Sequence, residues 1–285
     1  MNQKIRIYSL IILLIVLTSC SNNSSNPIDN NSTVKDTIVN IGNGQSCLVS
    51  TDGILKWDGL PQTEKNRILN WSLLFLHQSV GGDLEEGCRA NGVNFEYYGK
   101  DVTPMNKPFG GIFIDVGNIA NGNPYEKIRV FKDHILKHKN IWKICVFKFG
   151  YADIDDDNYL NVEIAYKNMI DEIRILIPNM KFVHVTPPLV YSIYEGNSAK
   201  RKVGEWMIET FKNKDVVFDF ESIESKNGEC SENSIWRICP EFRASKTDPS
   251  EINGVDETDG TGHLGKKAAG TISKAFLYSI YLSGK

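Results

Sequence analysis

The stretch Ser72–Gly82 reads SLLFLHQSVGG, and how it folds decides the architecture. A short apolar run leads into His77-Gln78-Ser79, and Val80-Gly81-Gly82 follows at once. Such a run, bounded by glycines, is the pattern of a parallel strand buried on both faces. A hydroxyl just past that strand stands at the carboxyl end of a sheet, where open α/β folds bind their ligands. The glycines permit the tight turn and close backbone approach that a nucleophile on a strand-to-helix turn requires. Ser79 is therefore either the cap of the next helix or a nucleophile. Partners elsewhere in the chain must decide between the two.

Outward from this stretch, apolar runs predict further strands at Val93–Tyr98, Ile141–Phe149, Lys181–Thr186 and Asp215–Phe220. Helical spacing predicts helices over Gly82–Ala90, Pro124–Lys137, Tyr159–Ile177, Ser198–Lys212 and Leu264–Leu282. Asn123 stands as an N-cap before Pro124, and Pro178 stops the third of these helices. Five strands alternating with helices predict an α/β fold whose central parallel five-stranded sheet is covered on both faces. Thr37–Trp57 reads as an irregular extension. Asp101–Gly122, rich in Gly, Pro and Asn, reads as a long binding loop.

The amino-terminal region has a different character. A basic start, Met1–Arg6, precedes an apolar run over Ile7–Leu17 that is too short to span a bilayer comfortably, the pattern of a signal peptide. Leu17-Thr18-Ser19-Cys20 resembles a bacterial lipobox. That resemblance implies that residues 1–19 are removed and that Cys20 is diacylated, which anchors the chain to a membrane of the cell envelope. Residues 20–36 then form a lipidated flexible tether, and 37–285 a single domain. The 32 basic and 35 acidic residues leave a net charge of −3, which sets nucleic acid aside as a partner.

Six cysteines leave five once Cys20 is acylated. Cys230 and Cys239 make the best disulfide pair, and Cys47 with Cys88 a weaker one. Cys145 reads as a buried strand residue. No spacing suits zinc, and the acidic run Asp153–Asp157 has no histidine at ligand distance, so no metal and no other cofactor is expected.

The loop Asp256–His263, DETDGTGH, supplies what Ser79 lacks. A serine needs a base, and the base needs a carboxylate to hold its tautomer. His263 and Asp259 fill those roles, with Asp256 as an alternative acid. Of the other histidines, His77 and His184 read as packing residues, and Asp153 as an acid that fixes its loop.

With these positions the chain resembles the SGNH (GDSL-like) hydrolase superfamily over most of its domain. Ser79 matches the family's first block, although His77-Gln78 replaces the usual Gly-Asp. Val185-Thr186-Pro187-Pro188 is similar to the fourth strand and its turn, and His263-Leu264 to the last block. The resemblance implies a three-layer flavodoxin-like sandwich and a serine esterase acting on a small-molecule or glycan ester, such as an acetyl ester. It also implies an oxyanion hole built from the Ser79 N–H with a glycine and an asparagine from the intervening blocks. The glycine is Gly117 or else Gly122. The third block reads Gly150-Tyr151-Ala152-Asp153, with Ala152 at the asparagine position, so Asn118, Asn121 or Asn123 must stand in. The family's acid position falls on Gly260, one residue after Asp259. An inactive glycan-binding or structural lipoprotein is the alternative reading.

Overall fold

A computed structural model describes residues 43–98, 109–113, 119–244 and 262–285. Its centre is β2 (Leu73–His77), every residue of which is buried. A strand covered on both faces must offer apolar side chains to both, and this one does. Leu73 and Phe75 enter one core layer, while Leu74 and Leu76 enter the other. β5 (Ile144–Phe147), β6 (Lys181–Val185) and β7 (Val216–Phe218) divide their side chains in the same way.

The sheet has seven parallel strands. With β1 (Cys47–Val49), β3 (Tyr97–Tyr98) and β4 (Phe109–Phe113), the order is β1-β7-β6-β5-β2-β4-β3. Its inner five, β4-β2-β5-β6-β7, reproduce the flavodoxin-like order in which the first strand lies between the second and third. The fold class is thus the expected α/β sandwich. Three strands differ from the sequence expectation. Val93–Tyr98 contributes only the two-residue edge strand β3, and the neighbour of β2 is β4, inside the segment expected to be loop. The Gly-Gly pair in β4 carries little strand propensity, and pairing with β2 overrides it. β1 likewise forms within the segment expected to be irregular, because β7 offers it an edge.

Helices cover both faces. α1 (Asp52–Asp58), α3 (Val80–Ala90) and α8 (Lys266–Gly284) pack on one side. A short α2 (Gln62–Arg67) precedes β2. α4 (Pro124–Lys137), α5 (Tyr159–Leu176) and α6 (Asn197–Phe211) cover the other face, and a short α7 (Phe220–Glu224) follows β7. α4 starts as expected: the Asn123 side chain accepts from the Glu126 N–H at 3.2 Å, and Pro124 sits in the first turn, where no amide is needed. α8 is buried along most of its length because it fills the space between the sheet, α1 and α3. No helix of the described residues is long and apolar enough to cross a membrane. Cys20 and its tether lie outside the described residues.

The seam between α3 and α8 is closed by Gly87. A Cβ there would stand 2.1 Å from the Ala269 carbonyl oxygen and 2.2 Å from the Ser273 hydroxyl. Overpacking of this kind costs about 1–3 kcal/mol. Gly87→Ala is therefore expected to lower the unfolding free energy by that amount, seen as a lower urea midpoint with an unchanged slope.

Candidate active site

β2 delivers Ser79 to the carboxyl rim of the sheet, where β4 and β5 flank it and the strand order reverses. Ser79 occupies the N-cap position of α3 but makes no cap bond. Its hydroxyl instead donates to Nε2 of His263 at 2.9 Å. Ser79 has φ 55° and ψ −120°, a region that non-glycine residues occupy only when the surroundings force them. Two contacts do the forcing. The Gly82 N–H bonds back to the Ser79 carbonyl at 2.6 Å, and Gly81 lies so close to His77 that a Cβ would stand 2.2 Å from that of the histidine. A strained turn of this kind lifts the hydroxyl clear of the backbone.

The carboxylate that meets His263 belongs to Asp83. Its Oδ2 and Oδ1 lie 3.0 and 3.2 Å from Nδ1, and Oδ2 also accepts from the Leu264 N–H at 2.9 Å. With Nδ1–H donating to this carboxylate, Nε2 is left as the acceptor that faces Ser79. Asp83 is wholly buried, His263 nearly so, and Ser79 half-buried. Asp259 and Asp256, the acids expected from sequence, lie outside the described residues, and Nδ1 is already occupied. The missed signal was the spacing from Ser79 to Asp83. Positions four apart share one helix face, so an acid in the first turn of α3 faces the same way as the serine.

The rim around this chain of bonds is pinned by further polar contacts. Asp153 is buried against Lys127, with Nζ 2.7 and 2.8 Å from its two oxygens, and it accepts from the Gly150 N–H at 2.6 Å and the Gly122 N–H at 3.1 Å. Asp153 thus fixes its loop, as its position suggested. One of the expected oxyanion donors is committed elsewhere, the Gly122 amide to Asp153, while the Asn123 side chain caps α4 through its acceptor oxygen. Gly117 and Asn118 lie outside the described residues. Among the described residues no group accepts from the Ser79 or Val80 N–H, and both lie at the amino end of α3, where an anion is favoured. Tyr151, after β5, packs edge-on against His263 with ring centres 6.1 Å apart.

Other titratable groups lie beneath this rim. His77 is buried beside Glu85, at 3.2 Å, and burial lowers its pKa, so the ring is a neutral packing element. Burial lowers Lys148 to about 8 and pushes Glu224 well above the usual carboxylate range, in each case outweighing the opposite charges nearby. His184 lies in the opposite core layer, between the Tyr166 hydroxyl at 2.8 Å and Asp215 at 3.1 Å, with its ring stacked on Phe211. It is fully enclosed and structural. Cys230 and Cys239 form the expected disulfide, whereas Cys47, Cys88 and Cys145 are not disulfide-bonded.

No protein-family model matches the chain, and no curated protein matches it. Among solved structures it is similar to one described as "a putative platelet activating factor from Streptococcus pneumonia", at 12% identity and a TM-score of 0.41. That alignment covers 79% of this chain and 93% of the other. So remote a likeness carries no functional assignment.

The buried ion pair makes a testable contribution. Removing one partner of such a pair costs about 3–5 kcal/mol because the other charge is left uncompensated. Asp153→Ala should therefore unfold at much lower urea concentration than the wild type. Adding Lys127→Met to it should recover a large part of the loss, measured by the same titration.

Proposed function

We propose that the chain is a serine hydrolase of carboxylic esters in which Ser79 is the nucleophile, His263 the base and Asp83 the residue that orients the base. The observation that carries this reading is the continuous chain Ser79 Oγ–His263 Nε2–His263 Nδ1–Asp83, centred on a serine held at positive φ. Ser79 Oγ attacks the ester carbonyl as its proton passes to Nε2. Asp83 holds the Nδ1–H and steadies the imidazolium. The oxyanion faces the Ser79 N–H at the start of α3, with the second donor left to the Gly117–Asn118 loop. His263 then returns the proton to the departing alcohol, leaving an acyl-serine. Water, deprotonated by the same histidine, releases the acid and restores the serine.

The SGNH resemblance of the sequence supports an acyl ester, such as an acetyl group on a carbohydrate, as substrate. The lipobox-like Cys20 supports action from a membrane anchor at the cell envelope. Cys20 acylation would be seen as a diacylglycerol mass on the mature amino terminus.

A fluorophosphonate probe should label the purified full chain, and Ser79→Ala should abolish the labelling. Asp83→Asn is expected to lower kcat by a factor on the order of 10⁴, through loss of the correct imidazole tautomer. Asp259→Asn should change kcat by less than tenfold. Equal losses in the two acid variants would remove Asp83 from its role. No labelling and no ester hydrolysis by the wild type would instead favour a glycan-binding or structural lipoprotein.

A further inference from the structure

Gln78, the residue before the proposed nucleophile, has no part in the chemistry above, yet its side chain is left in an unusual state. It is 3% exposed, and among the described residues neither its amide oxygen nor its amide nitrogen has a hydrogen-bond partner. Buried amides are nearly always paired, because an unmet donor and acceptor give up their water without compensation. An amide in that state, one residue from a serine held at positive φ, is accounted for when a ligand completes it.

The strand sets where this amide lies. His77 continues the row of Phe75, their ring centres 4.3 Å apart, in the core layer covered by α3 and α8. Side chains alternate along a strand, so Gln78 leaves β2 on the face of Leu74 and Leu76. It follows directly on the pair His77–Phe113 with β4, and closely on the pair Leu76–Phe147 with β5. Gln78 therefore stands between the chain ends that leave β4 and β5. His263 enters from the other face, ahead of Leu264, which packs in the α3 and α8 layer. A base faces the proton of the nucleophile, whereas an oxyanion hole faces the carbonyl oxygen on the far side of the reacting carbon. Gln78 is on the face that the hole requires. On that rim Lys127 and Asp153 are committed to each other and to the Gly122 and Gly150 amides. Ala152, where the resembled family has an asparagine, carries no polar side chain.

We propose that Gln78 is a catalytic residue whose side-chain N–H donates to the oxyanion formed on the ester carbonyl, the donor that Ala152 cannot supply. This role rests on the esterase reading of Ser79. The proton stays on the amide nitrogen throughout, and the hydrogen bond forms as negative charge builds on the oxygen. A donor kept dry and unpaired has no bond to break when that charge appears, so its effect falls on the transition state rather than on substrate binding.

Gln78→Met keeps the shape of the side chain and removes the donor. On the full chain with para-nitrophenyl acetate, kcat should fall by about 10²–10³ while KM changes by less than about threefold. The rate constant for fluorophosphonate labelling should fall in step, because the phosphoryl oxygen takes the place of the oxyanion. The Tm should hold or rise, since the variant no longer buries an unmet amide. An unchanged kcat, or a loss confined to KM, overturns the proposal. So does a fall in kcat that comes with a lower Tm, or a variant that fails to fold, because Gln78 is then a structural residue. The labelling keeps this test apart from the esterase reading. A wild type that is labelled, with the label lost in Ser79→Ala, beside an equally active Gln78→Met, removes the donor and leaves the esterase. A wild type inert to the probe removes both.

Discussion

The Asp83 carboxylate is the contact on which the site depends, because it joins the beginning of the α/β core to its end. It accepts from the His263 ring and from the Leu264 N–H, so it fixes the direction of the imidazole and the approach of the chain into α8 together. α8 reaches that position only because Gly87 lets α3 come close, and α3 starts where it does because Gly81 lies against His77. A carboxylate buried this completely is tolerable only when its oxygens are met by donors, and the C-terminal segment brings two of them, the His263 ring and the Leu264 N–H. Packing of the last helix and assembly of the site are therefore one event.

Burial sorts the ionisable groups into different uses. Lys127 and Asp153 remain paired and hydrogen-bonded, and they hold two rim loops together. Lys148 and Glu224 are pushed toward their neutral forms by desolvation, which limits the charge placed beneath the site. The Tyr166–His184–Asp215 chain has the hydrogen-bond pattern of a catalytic relay, yet it is sealed in the opposite core layer with the ring stacked on Phe211. What separates it from Ser79–His263–Asp83 is access. The Ser79 hydroxyl is half-open to solvent at the strand-order reversal, whereas every polar atom of His184 is enclosed.

Much of this was legible in the sequence because buried parallel strands and amphipathic helices write their periods plainly. β2, β5, β6 and β7, and the helices α4, α5, α6 and α8, follow from runs and spacings alone. β4 was not legible, since FGGIF has neither alternation nor β-branched density before its pairing partner is known. At the site, Ser79 and His263, which the structure brings within 2.9 Å of each other, were singled out through their places before a helix. Asp83 was missed because an acid in the first turn of a helix reads equally well as a favourable charge at the helix dipole. Only the docking of α8, a contact across 180 residues of sequence, shows that it is buried and bonded to a histidine.

Placing Ser79 and Asp83 on one strand-to-helix junction has a consequence for the rest of the rim. Ser79 and Asp83 are held by a single element, so their spacing cannot drift independently. His263 must then arrive between them from the far end of the chain. The hairpin after α7 carries no part of the relay and is braced by contacts of its own, the Cys230–Cys239 disulfide and Asn197.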